Sequence, residues 1–146
     1  MRGLDAKYIF GSLFNLETRT VTFNWIRKMR VYVAGPLTLG DRIENIRNAI
    51  EAADRIAKRG HFPFIPHLFD MWAFGHPEND YEFWMSQDFA WLEVCDAIVR
   101  LPGKSNGADR EVSKAYDLNK KIYYGLDEFM ASPEWVPKEE TKEATP

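Results

Sequence analysis

The chain has a single cysteine, Cys95, in 146 residues. No intramolecular disulfide can brace the fold, and that usage is compatible with a reducing compartment. Cys95 stands between Val94 and Asp96 at the mouth of an expected strand, where an inert buried thiol is expected rather than a nucleophile. No apolar run approaches the roughly 18 residues needed to span a bilayer, so no membrane partner is expected. The opening M-R-G-L-D-A-K-Y-I-F carries an early aspartate and no clear small-residue cleavage site, which makes a cytoplasmic location the default expectation. Long Lys/Arg clusters are absent and the formal net charge is -3; a nucleic acid polymer is not an expected partner. His61, His67 and His76 lack a metal-ligand spacing, and Asp70 and Glu78 do not complete one. The glycines after the first clear strand, G-P-L-T-L-G at 35–40, match neither the dinucleotide fingerprint nor a Walker loop. No metal and no cofactor is therefore expected.

What is present is the composition of a folded domain, with 45% hydrophobic and 28% charged residues. Residues 1–28 hold two strand-like runs, Tyr8-Ile9-Phe10 and Val21 to Ile26, which suit either an N-terminal hairpin or packing arm or a poorly ordered extension. The expected domain runs from 29 to 131. Arg30 to Ala34 reads as a β-branched strand, and Asp41 with Glu44 three residues on reads as a capping box. Ile43, Ile46, Ala49, Ile50, Ala53, Ile56 and Ala57 then recur at helical spacing, with Lys58 and Arg59 suiting the helix end and Gly60 closing it. His61 to Pro66 is a second short strand. A strand, a helix and a strand of this length make a right-handed βαβ unit.

His67 to Asp80 shows no clean period and reads as a long loop. Tyr81 to Glu93 is helical, with Phe83, Trp84, Phe89 and Leu92 expected inward, and Asp96 to Leu101 is a third strand. A glycine-containing turn then leads into a helix with Val112, Ala115, Tyr116 and Leu118 inward, which Asn119 helps to end. Lys121 to Tyr124 is a fourth strand, and Leu126 to Met130 a final turn or short helix. Residues 132–146 are rich in Pro, Glu and Lys and are expected to form a loose tail. The fold class is α/β: one doubly wound, Rossmann-like domain with four or five mostly parallel strands.

In such a sheet ligands bind beyond the carboxyl ends of the strands. Three segments converge there: the turn after Tyr32, the loop from His67, and the stretch S-N-G-A-D-R-E-V-S-K-A from Ser105. Glu111 on the last helix is the first candidate. Its carboxylate could act as a nucleophile or stabilise a cationic sugar-like centre, or it could be a solvated residue paired with Arg110 or Lys114. Asp88, in the aromatic setting F-W-M-S-Q-D-F-A-W-L, could stand beside Glu111, where like charges would separate the two pKa values; a surface aspartate is the alternative. Ser105, Asn106 and Gly107 could cup an anion, or Ser105 could simply cap the helix, and the two roles can coexist. Asp109 would partly repel such an anion. Phe69, Trp72 and Phe74 could stack on a base, form a hydrophobic lid or meet another subunit.

Three runs together, V-Y-V-A-G-P-L-T at 31–38, D-F-A-W-L-E-V-C-D-A-I-V at 88–99 and L-P-G-K-S-N-G-A-D-R-E-V-S-K-A at 101–115, resemble the nucleoside 2-deoxyribosyltransferase superfamily, in particular its small bacterial and phage branch. The resemblance covers about residues 30–127. It implies that Glu111 attacks the anomeric carbon of a nucleoside or nucleotide and that Asp88 assists the leaving base or orients the nucleophile. It implies, further, that Tyr32, Gly35 and Pro36 line the sugar or base side. Transferases of the superfamily tend to carry an aspartate six residues before the nucleophile, where this chain has Ser105. A serine there resembles the nucleoside 5′-monophosphate N-glycosidases, in which it helps hold the phosphate, while the 35–40 loop is a thinner match to theirs. The function so implied is hydrolysis of the N-glycosidic bond of a nucleoside 5′-monophosphate. Base exchange on deoxyribose and non-catalytic nucleotide binding are the alternatives. A homodimer or higher homo-oligomer acting on a small-molecule nucleoside or nucleotide is the assembly implied.

Overall fold

The computed structural model describes residues 12–15, 20–23, 28–132 and 140–143. In chain order the elements begin with β1 (Ser12–Asn15), β2 (Thr20–Phe23), β3 (Arg30–Ala34), α1 (Arg42–Lys58) and β4 (Phe62–Phe64). A 3-10 turn (Pro66–Phe69), α2 (Asp70–Gly75) and α3 (Tyr81–Val94) follow. The last elements are β5 (Ala97–Arg100), α4 (Asn106–Asp117), β6 (Lys121–Tyr124), α5 (Leu126–Ala131) and β7 (Glu140–Glu143).

The chain divides into two compact units, Lys28–Met130 and a second formed by Met1–Arg27 with Ala131–Pro146. In the second unit β2 lies between β1 and β7, antiparallel to both. The segment expected as a loose tail thus contributes a strand. Sheet pairing uses main-chain groups that every residue offers, so a polar stretch gives little warning of it. The strand-like Tyr8 to Phe10 lies outside the described residues.

The Lys28–Met130 unit carries four parallel strands in the order β4-β3-β5-β6. β3 and β5 are central, and the chain leaves them in opposite directions across the sheet, which creates the crevice where α/β folds receive ligands. Val31 to Ala34 and Ala97 to Val99 are buried, as expected of parallel strands covered on both faces. Alternation sends Tyr32, Ala34 and Ile98 toward α3 and α4, where they join Leu92, Cys95, Ala108 and Ala115 in one core. β4 forms one edge, and its central residue Pro63 sits opposite Val31.

The helices start where their caps dictate. Asp41 accepts from the Glu44 N–H at 3.0 Å, and Asp80 from the Phe83 N–H at 2.8 Å. In α1 the buried row is Ala49, Ala52, Ala53 and Ile56, while Ile43 and Ile50, expected inward, are 72% and 44% exposed. The first turn of α1 begins beyond the carboxyl end of β3 and has less sheet to pack on; farther along, small alanines let the helix approach closely. Tyr116, also expected inward, is exposed, because the buried row of α4 is Ala108, Glu111 and Ala115. Residues 67–80, expected as a loop, contain the end of the 3-10 turn and the whole of α2. Their aromatics pack on one another, with Phe69 and Trp72 edge-to-face at 5.7 Å and Trp72 and Trp84 at 5.0 Å, and this clustering hides the helical period.

The loops after the two central strands touch. Gly103, at φ 109°, leaves room for Pro36, whose Cγ would lie 2.8 Å from an added Cβ. Gly103→Ala combines that overlap with a strained backbone and is expected to cost about 1–3 kcal/mol. Thermal denaturation should show Tm lowered by roughly 4–8 °C per kcal/mol; an unchanged Tm would mean that the two loops do not pack this way.

Candidate active site

Beyond the carboxyl ends of β3 and β5 lies a cavity of about 610 Å³, walled by α2, α3, the β3–α1 loop and the start of α4. Its size suits a small molecule. At its floor, two helices each place one carboxyl group in a row that is otherwise apolar. In α4 the row is Ala108, Glu111 and Ala115; in α3 it is Met85, Asp88 and Leu92. Spacings of three and four put each acid on the inner face of its helix. α3 packs on α4, and the two acids therefore meet.

Glu111 is 5% exposed. The Tyr32 hydroxyl donates to its Oε1 at 2.7 Å, and Asp88 is its second partner through a carboxyl–carboxyl hydrogen bond. Burial, and next the neighbouring Asp88 charge, push Glu111 up to about 8. Burial pushes Asp88 up to about 6, held back by the hydrogen bond from Glu111. Two adjacent carboxylates in this setting cannot both ionise readily, so near neutrality the pair shares one proton. Tyr32 is raised well above its ordinary value by burial and then by the Glu111 charge. It stays a neutral donor.

The surface alternative for Glu111 does not hold. Arg110 is engaged by Glu82, with Nη1 and Nη2 donating at 2.8 and 3.0 Å, and Lys114 pairs with Glu93 at 3.3 Å. Ser105, Asn106 and Gly107 line the cavity beside both acids, as does Gly35. Ser105 also caps α4, its Oγ accepting from the Ala108 N–H at 3.2 Å. Asp109 is turned to Arg100, whose Nη2 lies 2.9 Å from Oδ1. Tyr32 is fully buried and meets the site only through its hydroxyl. Pro36 is not on the cavity wall: its carbonyl accepts from His67 Nε2 at 3.0 Å, and its ring lies against Gly103. His67 does line the cavity and is held below its ordinary pKa by burial.

Several wall residues were not singled out by pattern. Trp84 and Met85 supply apolar surface, and Lys104 supplies a cation. Arg42 bridges to Asp70 in a forked pair, with Nε 2.9 Å from Oδ2, joining the first residues of α1 and α2 across the rim. The signal available for Lys104 was its place next to Ser105; the arginines offered none, since their partners lie 28 residues away. Among the described residues, no group of three or more His, Cys, Asp or Glu is placed to hold a metal ion, and no helix is long and apolar enough to cross a membrane.

A family model described as a domain of unknown function, DUF4406, matches residues 29–124. Among solved structures, the chain is similar to a 2-deoxyribosyltransferase from Bacillus psychrosaccharolyticus, at 19% identity over 64% of this chain and 69% of that one, with a TM-score of 0.47. It is likewise similar to a 2-deoxyribosyltransferase from Leishmania mexicana, at 16% identity over 77% and 79% of the two chains, with a TM-score of 0.49. No curated protein matches the sequence.

The acid pair has a consequence for stability. A carboxyl whose folded pKa is raised from 4.5 to about 8 favours the folded state most at low pH, and that contribution is lost as pH rises through the folded value. Glu111→Gln cannot ionise and escapes the loss. Its Tm should therefore gain on the wild type by several degrees between about pH 5 and pH 8. Parallel melts at the two pH values check this, and a constant difference would contradict a shared proton.

Proposed function

We propose that this chain, which belongs to the DUF4406 family, cleaves the N-glycosidic bond of a nucleoside-type substrate through a glycosyl ester on Glu111. The observation that carries the reading is the buried Tyr32–Glu111–Asp88 cluster at the floor of a cavity of nucleotide size. The resemblance of residues 31–38, 88–99 and 101–115 to the nucleoside 2-deoxyribosyltransferase superfamily supports it.

The resting pair already holds the proton that a leaving base needs. On substrate binding that proton passes from Glu111 to Asp88, and the freed Glu111 carboxylate attacks the anomeric carbon. The carbon–nitrogen bond breaks, its electron pair goes to the base, and the base takes the proton from Asp88. An acceptor then attacks the ester at the same carbon, gives its proton to Asp88 and releases Glu111. Tyr32 holds Glu111 throughout by its hydrogen bond. Trp84 and Phe69 offer apolar surface for the base.

Glycosyl transfer from an N-glycoside is common to two outcomes. With water as acceptor the protein is a nucleoside 5′-monophosphate hydrolase. That narrower reading rests on Ser105, the start of α4 and Lys104, a lysine that lines the cavity without an ion pair among the described residues. With a second base as acceptor it is a deoxyribosyltransferase, the activity in the names of the two solved structures above. The apolar wall formed by Trp84, Phe69 and Met85 could hold an incoming base as it holds the leaving one.

Chromatography of nucleosides and their 5′-monophosphates incubated with the protein, with and without an added base, should reveal freed base or an exchanged nucleoside. Glu111→Gln should lower kcat on the order of 10³-fold or more while substrate still binds; turnover near wild type would reject the mechanism. The rate should follow a bell in pH, with limbs near 6 and 8 that belong to the acid pair jointly. A profile flat across that interval would remove the pair from the reaction. Lys104→Ala should raise KM for a 5′-monophosphate roughly fivefold and leave the matching nucleoside unaffected. Equal effects on both would withdraw the phosphate reading.

A further inference from the structure

Arg100 is the last residue of β5, and its side chain is only 10% exposed. Its backbone is fixed by the sheet, opposite Ala34 on one side and Tyr124 on the other, with its carbonyl accepting from the Gly125 N–H at 2.9 Å. The guanidinium is spent on the segment that follows. Nη1 donates to the Leu101 carbonyl, Nη2 to the Gly103 carbonyl at 2.8 Å, and Nε and Nη2 to Asp109 Oδ1 at 3.2 and 2.9 Å. One planar group thus grips both the β5–α4 loop and the first turn of α4. A rigid fork is suited to this and a lysine is not.

We propose that Arg100 is a positioning residue, which locks α4 to the end of β5 and so sets where the Glu111 carboxylate lies between Tyr32 and Asp88. Glu111 stands two residues beyond Asp109 on the same helix, and a rigid helix transmits a shift of its first turn to its second. The groups facing Glu111 come from each packed element: Tyr32 from β3, Asp88 from α3 and Arg100 from β5, whose charge favours the Glu111 carboxylate. On its own helix stand Asp109 and Arg110, and Lys104 and His67 line the same cavity. The Arg100 charge acts on Glu111, and Asp109 holds the guanidinium in place.

The kinetic part of this inference rests on the function proposed above; the titration part does not. The test follows the Glu111 side-chain carboxyl by ¹³C NMR across pH in wild type, Arg100→Lys, Arg100→Met and Asp109→Asn, with Glu111→Gln assigning the signal. Arg100→Met should move the Glu111 midpoint up by roughly half a unit or more. Arg100→Lys keeps the charge and loses the fork. It should leave the midpoint nearer wild type while kcat falls about 10- to 100-fold with KM changed little. Asp109→Asn should give a smaller effect in the same direction on kcat, and it tests the clamp even where Arg100→Met does not fold. Folded variants whose Glu111 midpoint and kcat both stay within twofold of wild type would overturn the proposal. If the wild type releases no base, the proposed function fails, and the titration shift alone decides the clamp.

Discussion

Two carboxyl groups and a phenol share one largely buried space, and near neutrality the acids do not readily both carry charge in it. Every element around the cavity is arranged to hold that conflict in place. Ala34, Ala108 and Ala115 keep the core between β3, β5 and α4 thin, which brings the Tyr32 hydroxyl within 2.7 Å of Glu111. An apolar residue at position 111 would complete the buried row of α4 and relieve the repulsion with Asp88. A chain built only for stability would have one there, since a buried carboxyl gives up its hydration and destabilises the fold further once it ionises. Under the function proposed above, an acid at this position gives up stability for control of a proton.

Much of this could be read before any coordinates. The four parallel strands and the helices between them follow from β-branched runs, caps and apolar spacing, and Asp41 and Ser105 cap the helices they precede. The two acids were candidates on other grounds, Asp88 for its aromatic setting and Glu111 for its place near the start of α4, and their meeting shows only once α3 is packed on α4. Where expectation and structure part, the cause is a contact remote in sequence. Ile43 follows the period of α1 but starts past the strand it would pack on, and Tyr116 lies at the margin of a row that Glu111 occupies. α2 is short and mostly aromatic, so its residues satisfy one another instead of displaying a face. Pro36 turns a carbonyl toward His67, a detail of backbone direction that residue type does not encode.

The charged residues around the cavity form a second pattern. Arg42 joins α1 to α2, Arg110 joins α4 to α3, and Arg100 joins β5 to α4. Each ties two elements that flank the site, and each is paired with an acid at the start of a helix, where a carboxylate also suits the helix dipole. The arginines that line the rim are thereby neutralised within the protein. Among the described residues Lys104 has no ion pair, and the start of α4 beside it presents N–H groups of the same electrostatic sense.

The proline in β4 bears on what the molecule can become. Phe62 directs its N–H inward to the Met29 carbonyl at 2.8 Å, so Pro63, one residue on, faces the free margin of the sheet. It has no donor to offer a newcomer. Strand addition on that flank would lack a ladder bond at its centre, which discourages lengthening of the sheet into a continuous ribbon with another chain.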